Sequence, residues 1–183
     1  MIKYVVFLRA INVGGHKLIK MEDLRKIFES LKLKNVKTFI QSGNVFFETT
    51  EKNSDAVSKK IEKHLNKTLG YEVKTFIRTD NEIEDIIKNN PFSKAKPGKD
   101  LALYLAFLSE KPDKEPADSL ISLNNDSETF YIRNREVYCL IRKDIKTQFS
   151  NNWLEKKLKL PATTRNITTI TKINVMLDSG GYK

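Results

Sequence analysis

The chain has 183 residues, 39% of them hydrophobic and 31% charged, with a formal net charge of +10. That balance describes a globular chain rather than a disordered one, and the length suits one domain or two small ones packed together. One cysteine, Cys139, excludes an internal disulfide framework and a multi-cysteine metal site, and no apolar run approaches the ~20 residues of a membrane helix.

Met1 to Arg9 holds a short apolar run without a small-residue cleavage site, which reads as a buried strand rather than a signal peptide. A cytoplasmic location is expected. Residues 1–91 hold 17 basic and 12 acidic residues and residues 92–183 hold 16 and 11, so each half carries +5 and the charge is no detachable tail. Lysine dominates the basic set, and a solvated basic surface is the first reading, ahead of a dedicated nucleic-acid face.

In chain order, residues 2–8 read as a central strand. A polar loop follows, Arg9 to Lys20. Leu24, Ile27, Phe28 and Leu31 then recur with the spacing of one helical stripe. Residues 36–41 and 45–49 are rich in β-branched and aromatic residues, and Ser42-Gly43-Asn44 supplies turn chemistry, which predicts a hairpin. Ser54 is placed to cap a helix carrying Val57, Ile61, Leu65 and Leu69, closed by Gly70. Val73 to Arg78 reads as the next strand. Thr79 and Glu82 have capping-box spacing for a short helix that Asn89-Asn90-Pro91 ends.

The order β-α-β-β-α-β defines an α+β, ferredoxin-like unit. The expected organisation is this unit plus a short helix over 1–91, a polar connector over 92–100, and a second α/β unit over 101–183 packed on the first. The second unit reads as βαββαα: a strand at 101–108, a helix at 115–123, a hairpin around Asn134-Arg135, and two helices separated by Ala162-Thr163-Thr164-Arg165-Asn166. It echoes the first unit without its last strand.

Familiar catalytic and nucleotide-binding motifs are absent. The loop Arg9-Ala10-Ile11-Asn12-Val13-Gly14-Gly15-His16-Lys17 follows a strand and precedes a helix. Adjacent glycines let backbone N–H groups turn toward an anion, and Arg9 and Lys17 add full charge. In a βαββαβ unit this loop and the 42–44 hairpin emerge at one end of the sheet. Arg9 and Asn12 are therefore expected to approach Gln41, Ser42 and Asn44 and form a pocket rim. The alternative is that these polar side chains only satisfy two tight turns. Thr163, Thr164 or Asn166 is expected to cap the last helix, with Arg165 available to an anion beside it.

Three segments together carry a resemblance. Arg9-Ala10-Ile11-Asn12-Val13-Gly14-Gly15, Val36-Lys37-Thr38-Phe39-Ile40-Gln41-Ser42-Gly43-Asn44-Val45 and Pro161-Ala162-Thr163-Thr164-Arg165-Asn166, with Met21-Glu22-Asp23-Leu24, resemble the signatures of the bacterial family called domain of unknown function 1697. Ile167 stands where the family usually has an aromatic residue, and Ala10 where it often has glycine. The resemblance implies an α+β fold with ferredoxin-like elements in a cytoplasmic bacterial protein, with no established activity and no known cofactor. It points to the same three loops, giving a composite ligand site of Arg9, Asn12, Gly14, Gly15, Lys17, Gln41, Ser42, Gly43, Asn44, Thr164, Arg165 and Asn166.

A small anionic, phosphate-bearing ligand at those loops is the first functional expectation. Single-stranded nucleic acid on a basic sheet face, stacked on strand aromatics such as Phe39, Phe46 or Phe47, is the second. Whether the chain is an enzyme is left open, since His16 is the only obvious group near the loops that titrates around neutral pH. No metal, cofactor or membrane partner is expected, and the oligomeric state is not set by the sequence.

Overall fold

A computed structural model describes residues 1–12 and 18–178. The chain divides into two compact units, one of Met1–Asp85 with Ile173–Lys183 and one of Ile86–Lys172.

In the first unit the strands are β1 (Ile2–Leu8), β2 (Lys34–Phe39), β3 (Asn44–Thr49) and β4 (Thr75–Thr79), and the intervening helices are α1 (Met21–Glu29) and α2 (Ser54–Leu69). The sheet order is β2-β3-β1-β4, with β1 antiparallel to both neighbours. This is the ferredoxin-like arrangement. Strand alternation sends Tyr4, Val6, Leu8, Val45, Phe47 and Ile77 to one face, where Leu24, Phe28, Val57, Ile61 and Leu65 of the two helices complete a core. On the opposite face Val5, Phe7, Phe46, Phe76 and Arg78 are also buried. Asn53, not Ser54, caps α2: its Oδ1 accepts from the backbone N–H groups of Asp55 and Ala56. Gly70 ends the helix with φ +78°, a left-handed conformation open to glycine.

The helix α3 (Asp80–Lys88) begins on the expected capping box. Glu82 N–H donates to Thr79 Oγ1, and Glu82 Oε2 accepts from Thr79 N–H.

The second unit repeats the plan. Its strands are β5 (Leu101–Leu108), β6 (Glu128–Arg133), β7 (Glu136–Arg142) and β8 (Ala162–Asn166), with α4 (Lys114–Ile121) and α5 (Asn151–Leu158) between them and α6 (Ile167–Asp178) after β8. The order β6-β7-β5-β8 reproduces that of the first sheet. Its helix-side core gathers Ala106, Leu108, Leu120, Phe130, Val137, Cys139, Leu154 and Leu158.

Residues 162–166, expected as a loop, form β8 and complete the unit as βαββαβ. The segment pairs with β5 through Tyr104↔Asn166, Leu105↔Arg165 and Phe107↔Thr163. The register matches the first sheet, where Tyr4 pairs with Thr79 and Val5 with Arg78. Arg78 and Arg165 are thus counterparts. Each is buried, and each Nη1 donates to the carbonyl of the residue before it, Ile77 at 2.7 Å and Thr164 at 2.9 Å. The duplication is one of structure, carried by register rather than by repeated sequence.

Candidate functional site

Because β1 and β2 both pair antiparallel with β3, they are parallel to each other, and the loops that follow them leave the sheet at the same end. Leu8 N–H donates to Gly43 O at 2.8 Å, which sews the two loops together where they start. Asn12 continues the seam. Its Oδ1 accepts from Ile19 N–H at 2.8 Å, and its Nδ2 donates to Ile19 O at 3.1 Å and Gln41 O at 3.0 Å. One side chain therefore holds the segment before α1 and the β2–β3 turn at once. Asn44, fully buried, closes that turn from inside through Nδ2 bonds to Phe39 O at 3.0 Å and Ser42 Oγ at 2.9 Å.

The backbone here is strained. Ala10, Asn12 and Ile40 have φ near +55°, +56° and +51°, and Gly43 has φ +71°. The left-handed region costs an L-residue about 1–2 kcal/mol, least for Asn and most for a β-branched residue such as Ile40. Such strain tends to concentrate at ligand clamps and switch regions.

The seam opens onto a groove of about 820 Å³ lined by Asn12 and Gln41, by Leu18, Ile19 and Lys20, by Met21, Asp23, Lys26 and Ile27 of α1, and by Thr68 and Leu69 of α2. Its size falls in the range of small-molecule sites. Its walls are largely aliphatic, with Lys20 and Lys26 as cations. Lys26 Nζ lies 2.9 Å from Glu22 Oε1 across one helical turn, an exposed pair in which each partner holds the other's charged form. Glu22 and Asp23 occupy the first turn of α1, so carboxylates rather than a ligand already complement that helix end.

Of the expected site residues, Asn12 and Gln41 line the groove, while Ser42, Gly43 and Asn44 build the turn beside it. Arg9 is half-buried, and its backbone N–H donates to Lys74 O at 3.0 Å. Gly14, Gly15 and Lys17, with His16, lie outside the described residues. Thr164, Arg165 and Asn166 stand in β8 of the second unit. There Thr164 Oγ1 donates to Asn151 Oδ1 at 2.8 Å, and Arg165 Nη1 donates to Thr163 Oγ1 at 2.9 Å. Burial draws the Arg165 guanidinium down to about 10, which leaves it cationic at neutral pH. Asn166 caps α6, its Oδ1 accepting from Thr168 N–H at 2.9 Å.

Sequence reasoning missed the contributions of Leu18, Ile27, Thr68 and Leu69. They read as ordinary core or surface positions, and only the packing of α1 beside α2 makes them a wall. It also missed a contact between Ser30 and His64, whose Oγ and Nε2 are 2.7 Å apart. Ser30 Oγ donates to Ile27 O at 2.8 Å, so the hydroxyl accepts from Nε2–H. That direction makes the pair a tie between the end of α1 and α2, not an activated nucleophile.

Cys139 is fully buried, and burial, with Glu128 as a smaller cause, pushes its thiol far above the ordinary range. A thiol reagent such as a disulfide-exchange dye is expected to leave it unmodified in the folded protein and to titrate one thiol in denaturant. Fast modification without denaturant would overturn this placement. Among the described residues no group of three histidine, cysteine or acidic side chains is arranged to hold a metal ion, and no helix is long and apolar enough to cross a membrane.

Two sheets of order 2-3-1-4, each with paired helices, define a duplicated ferredoxin-like α+β protein. The chain belongs to the family described as protein of unknown function (DUF1697), whose model matches residues 1–138. A solved structure of the conserved bacterial protein SP0830 from Streptococcus pneumoniae is similar over 96% of this chain and 98% of that one, with a TM-score of 0.73 and 23% identity. A likeness at that identity speaks for the fold alone. A comparison with curated proteins finds no relative.

Proposed function

We propose that the groove at the end of the first sheet binds a small anionic, phosphate-bearing ligand. The observation that carries this reading is the seam itself: Asn12 joins two strained loops into one rim, and that rim borders a ligand-sized groove with Lys20 and Lys26 at its edge. Gly14, Gly15, Lys17 and Arg9 adjoin this rim in the chain and belong to the same proposal. Thr164, Arg165 and Asn166 stand in the second unit and are not among the residues that line the groove.

The test is thermal stabilisation by adenosine monophosphate, ribose 5-phosphate and an alkyl phosphate, each against its neutral parent. At a hundred times its dissociation constant a ligand stabilises by about 2.7 kcal/mol, a shift of several degrees. At least one phosphate is expected to stabilise more than its parent, and a Lys20→Ala, Lys26→Ala double variant to lose that excess. Equal effects of every phosphate and its parent would overturn the reading.

Nucleic-acid binding on a sheet face has less support. Two of the aromatics expected to stack bases, Phe46 and Phe47, are 1% and 0% exposed on opposite faces of β3, although Phe39 is half-buried and Tyr131 of β6 is exposed.

A further inference from the structure

We infer that the groove takes an anion carried on an aliphatic chain, rather than bare phosphate or a sugar phosphate; this rests on the reading proposed above. The walls decide the class. Leu18 is 71% exposed, and Ile19, Met21, Ile27 and Leu69 are only partly buried although they pack against the first unit's core. Most of the accessible wall is apolar, so a sugar phosphate held by the polar edge residues Gln41, Thr68 and Lys20 would leave that surface wet. An alkyl chain instead removes both surfaces from water.

The charges lie to suit such a ligand. On α1 the groove wall sets the apolar side chains of Met21 and Ile27 beside the charged Asp23 and Lys26. Lys26 is already paired with Glu22, so Lys20, the residue just before α1, is the wall cation that a head group would meet. Among the polar wall residues, Asn12 has its amide committed to Ile19 and Gln41, so it shapes the rim rather than reading the ligand. Gln41 keeps an exposed side chain beside it.

The experiment is isothermal titration of the full chain with hexyl, octyl and decyl phosphate below their micellar concentrations, alongside inorganic phosphate and decanol. One molecule should bind per chain, and affinity should rise about fourfold for each methylene that enters the groove. Leu18→Ser, a change at an exposed position that the fold tolerates, should flatten that chain-length dependence. Tyr131→Ser, exposed in the second unit, should leave it intact.

Phosphate esters that bind with no dependence on chain length would overturn this inference and leave the proposed function standing. Decanol binding as tightly as decyl phosphate would overturn the proposed function instead. Several molecules bound per chain, unaffected by Leu18→Ser, would show detergent-like adsorption and overturn the inference.

Discussion

Phe47→Ala is expected to cost about 3–5 kcal/mol, the range for truncating a large buried aromatic. Phe47 is wholly buried on the helix side of the first sheet. Its ring stacks on Tyr4, its cross-strand partner, at 5.6 Å between centroids, and leans on Phe28 of α1 at 6.1 Å. The deletion therefore loses transfer free energy and leaves a cavity bounded by two rings and a sheet, which collapses poorly. Against a total stability of about 5–15 kcal/mol this is a large fraction. Urea denaturation followed by circular dichroism measures it. A loss below about 1 kcal/mol would mean that the three rings do not form the centre of the first core.

The second large effect falls at Gly43. A Cβ placed there would lie 3.0 Å from Leu8 Cβ and 3.6 Å from Ile11 Cβ, and φ is +71°. Gly43→Val combines about 1–2 kcal/mol for a left-handed residue with about 1–3 kcal/mol for overpacking. The neighbour cannot give way cheaply, because Leu8 Cβ is fixed by β1 and Leu8 N–H is bonded to Gly43 O. A loss of about 2–5 kcal/mol in the same denaturation assay is expected, together with weaker binding at the groove, whose rim this turn supports. Gly43→Val with wild-type stability would refute the close approach of the two loops.

Much of the first unit is legible from local chemistry. The helical stripe around Leu24 and Phe28, the hairpin, the Thr79–Glu82 capping box and Gly70 each depend on residues close in sequence. The convergence of Asn12 with Gln41 follows from topology once the strand order is assumed. β8 is not legible, because Ala-Thr-Thr-Arg-Asn after a proline has the composition of a helix cap, and its strand conformation depends on pairing with β5 some sixty residues earlier. Ile40 is hidden for the opposite reason: a β-branched residue argues for strand, and only the turn forces it left-handed.

The groove wall is illegible because Leu69 and Ile27 become neighbours only through helix packing. The burial of both Phe46 and Phe47 also exceeds what alternation predicts, since a half-covered sheet would expose one of them. Arg78 gives no sequence cue at all; its meaning comes from its match to Arg165 in the second sheet's register.

The boundaries between the two compact units fall inside helices α3 and α6. Ile173–Asp178 of α6 counts with the first unit, where Lys3 Nζ donates to Leu177 O at 3.1 Å. Ile86–Lys88 of α3 counts with the second, where Tyr138 Oη donates to Ile86 O at 2.8 Å. Scissors placed in the 92–100 connector would thus divide the gene but not the protein. The leading fragment would lack a strap that its own sheet binds, and the trailing fragment would lack the one held by Tyr138. Neither product would hold the whole of one compact unit.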